Sequence, residues 1–183
     1  GDLTPVLDTL TVAIHTVPLS LFLTFLPLVD PVVTRGELVK VLEGRGWVVE
    51  LLRCALRSSH TTLLSDFMVS LLPYASRFHK LASDAQLGLS EVGQKVVRAR
   101  VSGVWSLLPE ICVNPTSDLL TSFPKMRSVL KGALEEQEYE DIPHYVVLAL
   151  GRIGGHLTSG TSTVQICEAE AAFYLPLLLT HLE

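Results

Sequence analysis

The chain has 183 residues, 48% of them hydrophobic and 18% charged, with a net charge of −5. That length can bury a substantial core, and the negative balance excludes a surface that coats nucleic acid through a general basic field. Three cysteines, Cys54, Cys112 and Cys167, are well separated and odd in number, which excludes a disulfide framework and points to a reducing compartment.

Mean hydropathy is +0.41, the value expected of helices covered on both sides by neighbours, so that only outer faces need be polar. With Gly1 in place of an initiator Met, the apolar excess leads us to expect a segment of a longer array. Its other repeats would then cover part of the apolar surface. Residues 9–29 carry no formal charge and have the length of a bilayer span. They also hold His15, Pro18 and Pro27, and their flanks are Asp8 and Asp30 rather than basic residues. Two buried helices split near Pro18 are expected there, and no membrane partner.

In chain order, Asp2 or Thr4 is placed to cap a first helix with Pro5 in its opening turn. Leu3, Val6, Leu7, Leu10 and Ile14 follow at helical spacing. Residues 19–28 read as its partner. Breaks are expected at Asp30-Pro31, Thr34-Arg35-Gly36 and Gly44-Arg45-Gly46, with a short helix over 37–42 between them. Residues 47–56 are amphipathic, with Trp47, Val48, Leu51, Leu52 and Ala55 inward. Ser59 or Thr61 caps a returning helix over 62–72, which makes an antiparallel helical hairpin. A more polar helical stretch continues over 74–87. Ser90 caps a long helix over 91–108 that carries Val92, Val96, Val97, Val101, Val104, Trp105 and Leu108.

Pro109 and Pro115 then delimit a joint. A further helix is expected from Ser117 or Asp118 to Glu136, with Pro124 as a restart point. Asp141 with Pro143 opens the next, over 145–157. A loop over 158–163 and a last apolar helix over 164–182, containing Pro176, complete the pass. Apolar-proline phrases recur at Pro27, Pro73, Pro109 and Pro176, with steps of 46, 36 and 67 residues. The first two lie near the ~40–47 residues of HEAT or armadillo units. The expected fold is an all-α, HEAT/armadillo-like α-solenoid of stacked antiparallel helix pairs.

Trp105-Ser106-Leu107-Leu108-Pro109, then Cys112, Pro115, Asp118 and Ser122-Phe123, resembles the ribosomal RNA processing protein twelve family, whose members are HEAT-repeat proteins of small-subunit ribosome assembly. Gly46-Trp47 through Leu51-Leu52, Phe67 and Leu71-Leu72-Pro73-Tyr74-Ala75 is similar to that family's Trp-led helix and Phe-Leu-Pro-Leu-Ala segment. Ala149-Leu150 and Tyr174-Leu175-Pro176 resemble its later phrases. The resemblance covers residues 45–181. Residues 1–44 are unassigned helices, and 1–183 is taken as one helical-repeat segment. The spacing around Pro115 is one residue longer than the family pattern. Pro124 and the acidic run Glu135-Glu136-Gln137-Glu138-Tyr139-Glu140-Asp141 have no counterpart in it.

Six scattered histidines lack metal-ligand spacing. Gly151-Arg152-Ile153-Gly154-Gly155 lacks the strand and the Lys-Ser/Thr of a phosphate loop, and Ser159-Gly160 lacks a nucleophile elbow. No catalysis, metal or cofactor is expected. Trp105, Leu107, Leu108, Pro109, Cys112, Pro115, Asp118 and Phe123 read as a structural joint, with Cys112 acting as a small apolar residue. Two basic groups, Lys95, Arg98 and Arg100, and Lys125, Arg127 and Lys131, read either as solvated faces or as phosphate-gripping strips for RNA. Residues 135–141 read as a solvated loop, or alternatively as a site for a basic protein. The resemblance implies a scaffold of pre-small-subunit assembly and export. Its location would be the nucleolus and nucleus, with shuttling to the cytoplasm. Its partners would be pre-ribosomal proteins, pre-ribosomal RNA and other repeats of the parent chain. The alternative is a nuclear-transport or armadillo-type adaptor that binds proteins alone.

Overall fold

The computed structural model describes residues 4–28, 46–59, 62–83, 89–114, 118–157, 172–176 and 179. Every regular element among them is helical, and among these described residues no helix is long and apolar enough to cross a membrane. Several expectations lie outside the described residues: the cap at Asp2, the breaks and short helix of residues 30–45, Thr61, Pro115, and residues 158–171 with Cys167.

Helix α1 (Thr4–Thr16) carries Pro5 in its first turn, and α2 (Leu19–Phe25) follows the break at Pro18. Helix α2 stops two residues before Pro27, because a residue that precedes proline is pushed away from helical geometry. Helix α3 (Gly46–Ser58) buries Val48, Val49, Leu51, Leu52, Ala55 and Leu56. Trp47, expected inward, is instead 45% exposed in the first turn. Val49 takes the inner position, against Gly103, where an added Cβ would stand 3.4 Å from Val49 Cγ1.

The returning helix does not end at Leu72. Helix α4 (Leu64–Asp66) widens into a π turn (Phe67–Leu71) and runs on as α5 (Leu72–Ser83). Pro73 has no N–H for the Val69 carbonyl, and its ring would strike that group in a regular helix. The wider turn accommodates it, with the Leu72 N–H donating to the Phe67 carbonyl five residues back.

Ser90 Oγ accepts the Gly93 N–H at 3.1 Å and starts α6 (Glu91–Trp105). Val92 is 64% exposed, because the buried stripe runs Gly93, Val97, Val101, Val104 and Trp105. The helix breaks at Ser106, three residues before the proline, and resumes as α7 (Leu107–Ile111). The carbonyl that Pro109 cannot serve belongs to Trp105, so the break falls there and not at the proline. Helix α8 (Leu119–Ser122), a 3₁₀ turn (Pro124–Met126) and α9 (Arg127–Leu134) make the interrupted partner, restarted at Pro124. Helix α10 (Asp141–Leu157) and a helical turn over 172–176 complete the described chain.

Packing sorts these elements into two rows. In the first, α1 packs on α3, α3 on α6 and α7, and α7 on α10. In the second, α2 packs on the π turn and α4 on α8, while Phe123 and Tyr174 stack with ring centroids 5.5 Å apart. The broadest contact, α5 on α6, joins the rows. First-row helices begin at Thr4, Gly46, Glu91 and Asp141, or 42, 45 and 50 residues apart. That spacing is more regular than the proline phrases, which fall at unlike points: beyond α2, inside α5 and inside α7. Leu52, Leu56, Phe67, Leu71, Leu107, Leu108, Met126 and Leu130 are almost wholly enclosed between the rows.

Candidate functional site

The Leu-Leu-Pro joint is where three first-row helices meet. Trp105 lies in the core against Phe67, with centroids 5.4 Å apart. Leu107, Leu108, Pro109 and Ile111 are buried around it. Within this apolar run Glu110 is also buried, 7% exposed, and a buried carboxylate is stable only when paired. Arg57 Nε of α3 donates to Glu110 Oε2 at 2.9 Å, and Arg152 Nη1 of α10 stands 3.6 Å from Oε1. Arg152 also donates to the Pro109 carbonyl, a group at the bend. One carboxylate thus ties α3, α7 and α10 together. Arg53 adds a bond from Nη2 to Ser106 Oγ at 2.8 Å, while its Nη1 pairs with Glu50. Asn114 Nδ2 donates to the Ser59 and Arg57 carbonyls at 2.9 and 3.2 Å, and so serves the open C-terminal end of α3.

Cys112 is buried beside this clamp. Burial pushes its thiol up to about 12, against the opposing charge of Arg152, so it stays neutral. Asp118 caps a helix 54 residues away: Oδ1 accepts the Leu64 N–H at 2.9 Å and Oδ2 the Ser65 N–H at 2.8 Å. Ser122 Oγ donates to Oδ2 at 2.7 Å. Desolvation works against the charge, but the bonds from Ser122, Ser65 and Leu64 outweigh it and hold the carboxyl down to about 2. Asp66 accepts the Leu63 N–H at the same helix start; desolvation and the charge of Asp118 push it upward.

The basic residues are divided by the fold. Lys95 pairs with Glu91 at 2.7 Å, Arg98 with Glu138 at 3.1 Å, and Lys131 with Glu135 at 3.8 Å. Arg100 lies on another side of α6 from Arg98, with its guanidinium 2.6 Å from where a Cβ on Gly46 would stand. Arg127 sits over the Phe173 ring, 4.8 Å from the centroid. Lys125 is exposed on the 3₁₀ turn. Arg100 therefore lies off the face that Lys95 and Arg98 share at i, i+3 spacing.

The acidic run is a largely exposed loop with one buried anchor. Tyr139 is buried, 6% exposed, with its hydroxyl 3.1 Å from His79 Nδ1 of α5. Desolvation first, and then the Glu138 charge, push its phenol up to about 12. Glu138 reaches Arg98, and Asp141 accepts from Ser102 Oγ at 3.1 Å. Glu136 turns back to accept the Gln137 and Glu138 N–H groups. Charge counting along the sequence misses the aromatic anchor that pulls the run onto α5 and α6.

Sequence reading also passed over Arg53, Arg57, Glu110, Asn114 and Arg152. A signal for Glu110 was present: it is the lone charge in Leu107-Leu108-Pro109-Glu110-Ile111-Cys112. Its partners were not legible, since they stand 53 and 42 residues away in sequence. Among the described residues no three His, Cys, Asp or Glu side chains are grouped to hold a metal ion.

The family described as "Ribosomal RNA-processing protein 12, HEAT repeats" matches residues 5–153. The match takes in α1 and α2, forty residues before the segment that carried the resemblance in sequence, and stops short of Tyr174-Leu175-Pro176. No curated protein and no solved structure matches the chain.

Proposed function

Because the chain belongs to the HEAT-repeat family of ribosomal RNA-processing protein 12, we propose that it is a non-catalytic scaffold of small-subunit ribosome assembly. In this reading the two rows are the layers of an α-solenoid formed by residues 1–183 as one helical-repeat segment, and its extended faces dock pre-ribosomal proteins. It works in the nucleolus and nucleus and accompanies the pre-small subunit toward export and the cytoplasm. The observation that supports it most is the row packing combined with the Arg57–Glu110–Arg152 clamp. A display surface must hold its shape under load, and paired charges between successive helices fix their register.

RNA is the secondary ligand. Lys125, exposed on the second row, is the leading phosphate contact of this reading, with Arg127 beside it over the Phe173 ring. Lys95, Arg98, Lys131 and Arg100 contribute less, because the first three face carboxylates and the last faces the backbone of α3. The same carboxylates favour a second reading, a protein-only adaptor of nuclear-transport or armadillo type. Sedimentation of the tagged protein from cells, with ultraviolet cross-linking to RNA, tests both. Co-migration with pre-small-subunit particles and cross-linked ribosomal precursor RNA is the expected result. Co-migration without RNA cross-links selects the protein-only mode, and migration as free protein overturns the assembly role.

A further inference from the structure

Five charged side chains meet where α3, α7 and α10 join, and their charges do not cancel. Arg53 and Glu50 pair at 2.8 Å and neutralise each other. Arg57 and Arg152 share the single buried carboxylate of Glu110. One positive charge is left over, in a chain whose net charge is −5. Arg57 presents that surplus to water. Its side chain is 66% exposed and spends only Nε on Glu110, and among the described residues neither of its Nη groups meets an acceptor. The Glu110 bond already orients the guanidinium, so an anion that binds it has little left to order.

Trp47 stands on the same exposed stripe. Trp47, Glu50, Cys54 and Arg57 recur at three- and four-residue spacing along α3, and all are exposed. From Trp47 to Arg57 the helix rises ~15 Å, the length of about four nucleotides at ~3.4 Å each along a strand. Glu50 lies between them, but Arg53 Nη1 binds both of its carboxylate oxygens, at 2.9 and 2.8 Å, which weakens its repulsion of a phosphate.

We propose that this stripe is a contact for single-stranded RNA, with an unpaired base stacked on Trp47 and a phosphate held by Arg57 beside Arg152. The proposal rests on the RNA reading above and adds a first-row site separate from Lys125. The isolation of the indole favours this occupant. Among the described residues Trp47 is the one large apolar side chain exposed on α3, whereas a protein partner needs a cluster of anchors seated in well-packed pockets. A base needs a single aromatic face, and stacking accepts any base. Duplex RNA keeps its bases within the stack and offers none to Trp47.

The test titrates the 183-residue chain with a short oligoadenylate, followed by tryptophan fluorescence and by the anisotropy of a dye on the RNA. Trp105 is buried, so quenching on binding reports Trp47. Trp47→Ala should abolish the quenching, weaken binding about tenfold and leave the melting temperature unchanged. Arg57→Gln should weaken binding and lower the slope of log affinity against log salt by about one, and Arg57→Lys should restore that slope. Equal affinity in Trp47→Ala, or no binding by the parent chain, would overturn the proposal. A fall in the melting temperature of Trp47→Ala would assign the indole to internal packing and overturn it too. So would tighter binding of an oligoadenylate–oligouridylate duplex, or of a phosphoserine peptide, which would name a phosphoprotein as the partner. If the oligonucleotide binds through Trp47 while the tagged protein sediments free of particles, the site stands and the assembly role falls. Particle co-sedimentation without oligonucleotide binding keeps the assembly role and overturns the site.

Discussion

The joint around Glu110 and the α1–α2 end use polar groups in opposite ways. At the joint, Glu110, Asn114 and Asp118 reach partners 42 to 57 residues distant in sequence, and the groups they bind belong to other helices. At the end, Thr9, Thr16 and Thr24 bond to carbonyls four residues back in the same helix. Long-range polar bonds fix the register of neighbouring helices. Self-contained ones satisfy the hydroxyls without holding the helix to a neighbour. Carboxylates and an amide thus tie helices together in one region, while hydroxyls serve only their own helix in the other.

The sharpest way to break this contrast is at the clamp. Removing Arg57 and Arg152 together, each to Ala, leaves Glu110 buried without a counter-charge, and should cost about 3–5 kcal/mol in urea unfolding. A loss below about 1 kcal/mol would mean that Glu110 finds water and that the clamp does not set the seam. The same side chain can be compared in the two regions. Phe67→Ala, in the enclosed core, should cost about 3–5 kcal/mol, whereas Phe25→Ala should stay within about 0.5 kcal/mol. Equal losses in the isolated chain would erase the distinction between sealed and open faces.

Asp118→Asn should cost about 1–2 kcal/mol through the weakened cap on α4. Its effect has a pH signature. The folded carboxyl sits near about 2, below its ordinary 3.8, so its stabilisation is complete above the ordinary value and is lost as pH falls toward 2. Asp66 shifts the other way, and its contribution is present in acid and lost as pH rises through its raised value. Acid titration of Asp118→Asn should therefore show a shallower loss of stability between pH 4 and 2 than the parent chain. An unchanged slope would show that the cap is neutral in the folded state. The smallest effect belongs to Thr9→Val and Thr16→Val, which should leave stability within about 0.5 kcal/mol, because the hydroxyls serve only their own helix. A larger loss in thermal unfolding would show that these bonds hold α1 in place.

Sequence periodicity located most helices, the cap at Ser90 and the restart at Pro124, because these depend on neighbours within a few residues. It placed the proline effects three to four residues late. Proline disturbs the carbonyl of residue i−4, so the break at Ser106 and the widened turn at residues 67–71 precede Pro109 and Pro73. The inward placement of Trp47 fails for a related reason. Helical spacing ranks positions on a face, but the neighbouring helix decides which edge of the stripe is covered.

By itself the sequence determined that the chain is helical, repetitive and similar to its family. Apolar spacing, caps and breakers are local, and the motif order around Trp105 survives without knowledge of contacts. Only the tertiary structure decided which charges are spent inside the molecule. Glu110 between two arginines, Asp118 on a distant helix start and Glu138 against Arg98 are meetings of residues 40 to 54 positions apart. No local rule encodes such a meeting, because it follows from how the rows stack.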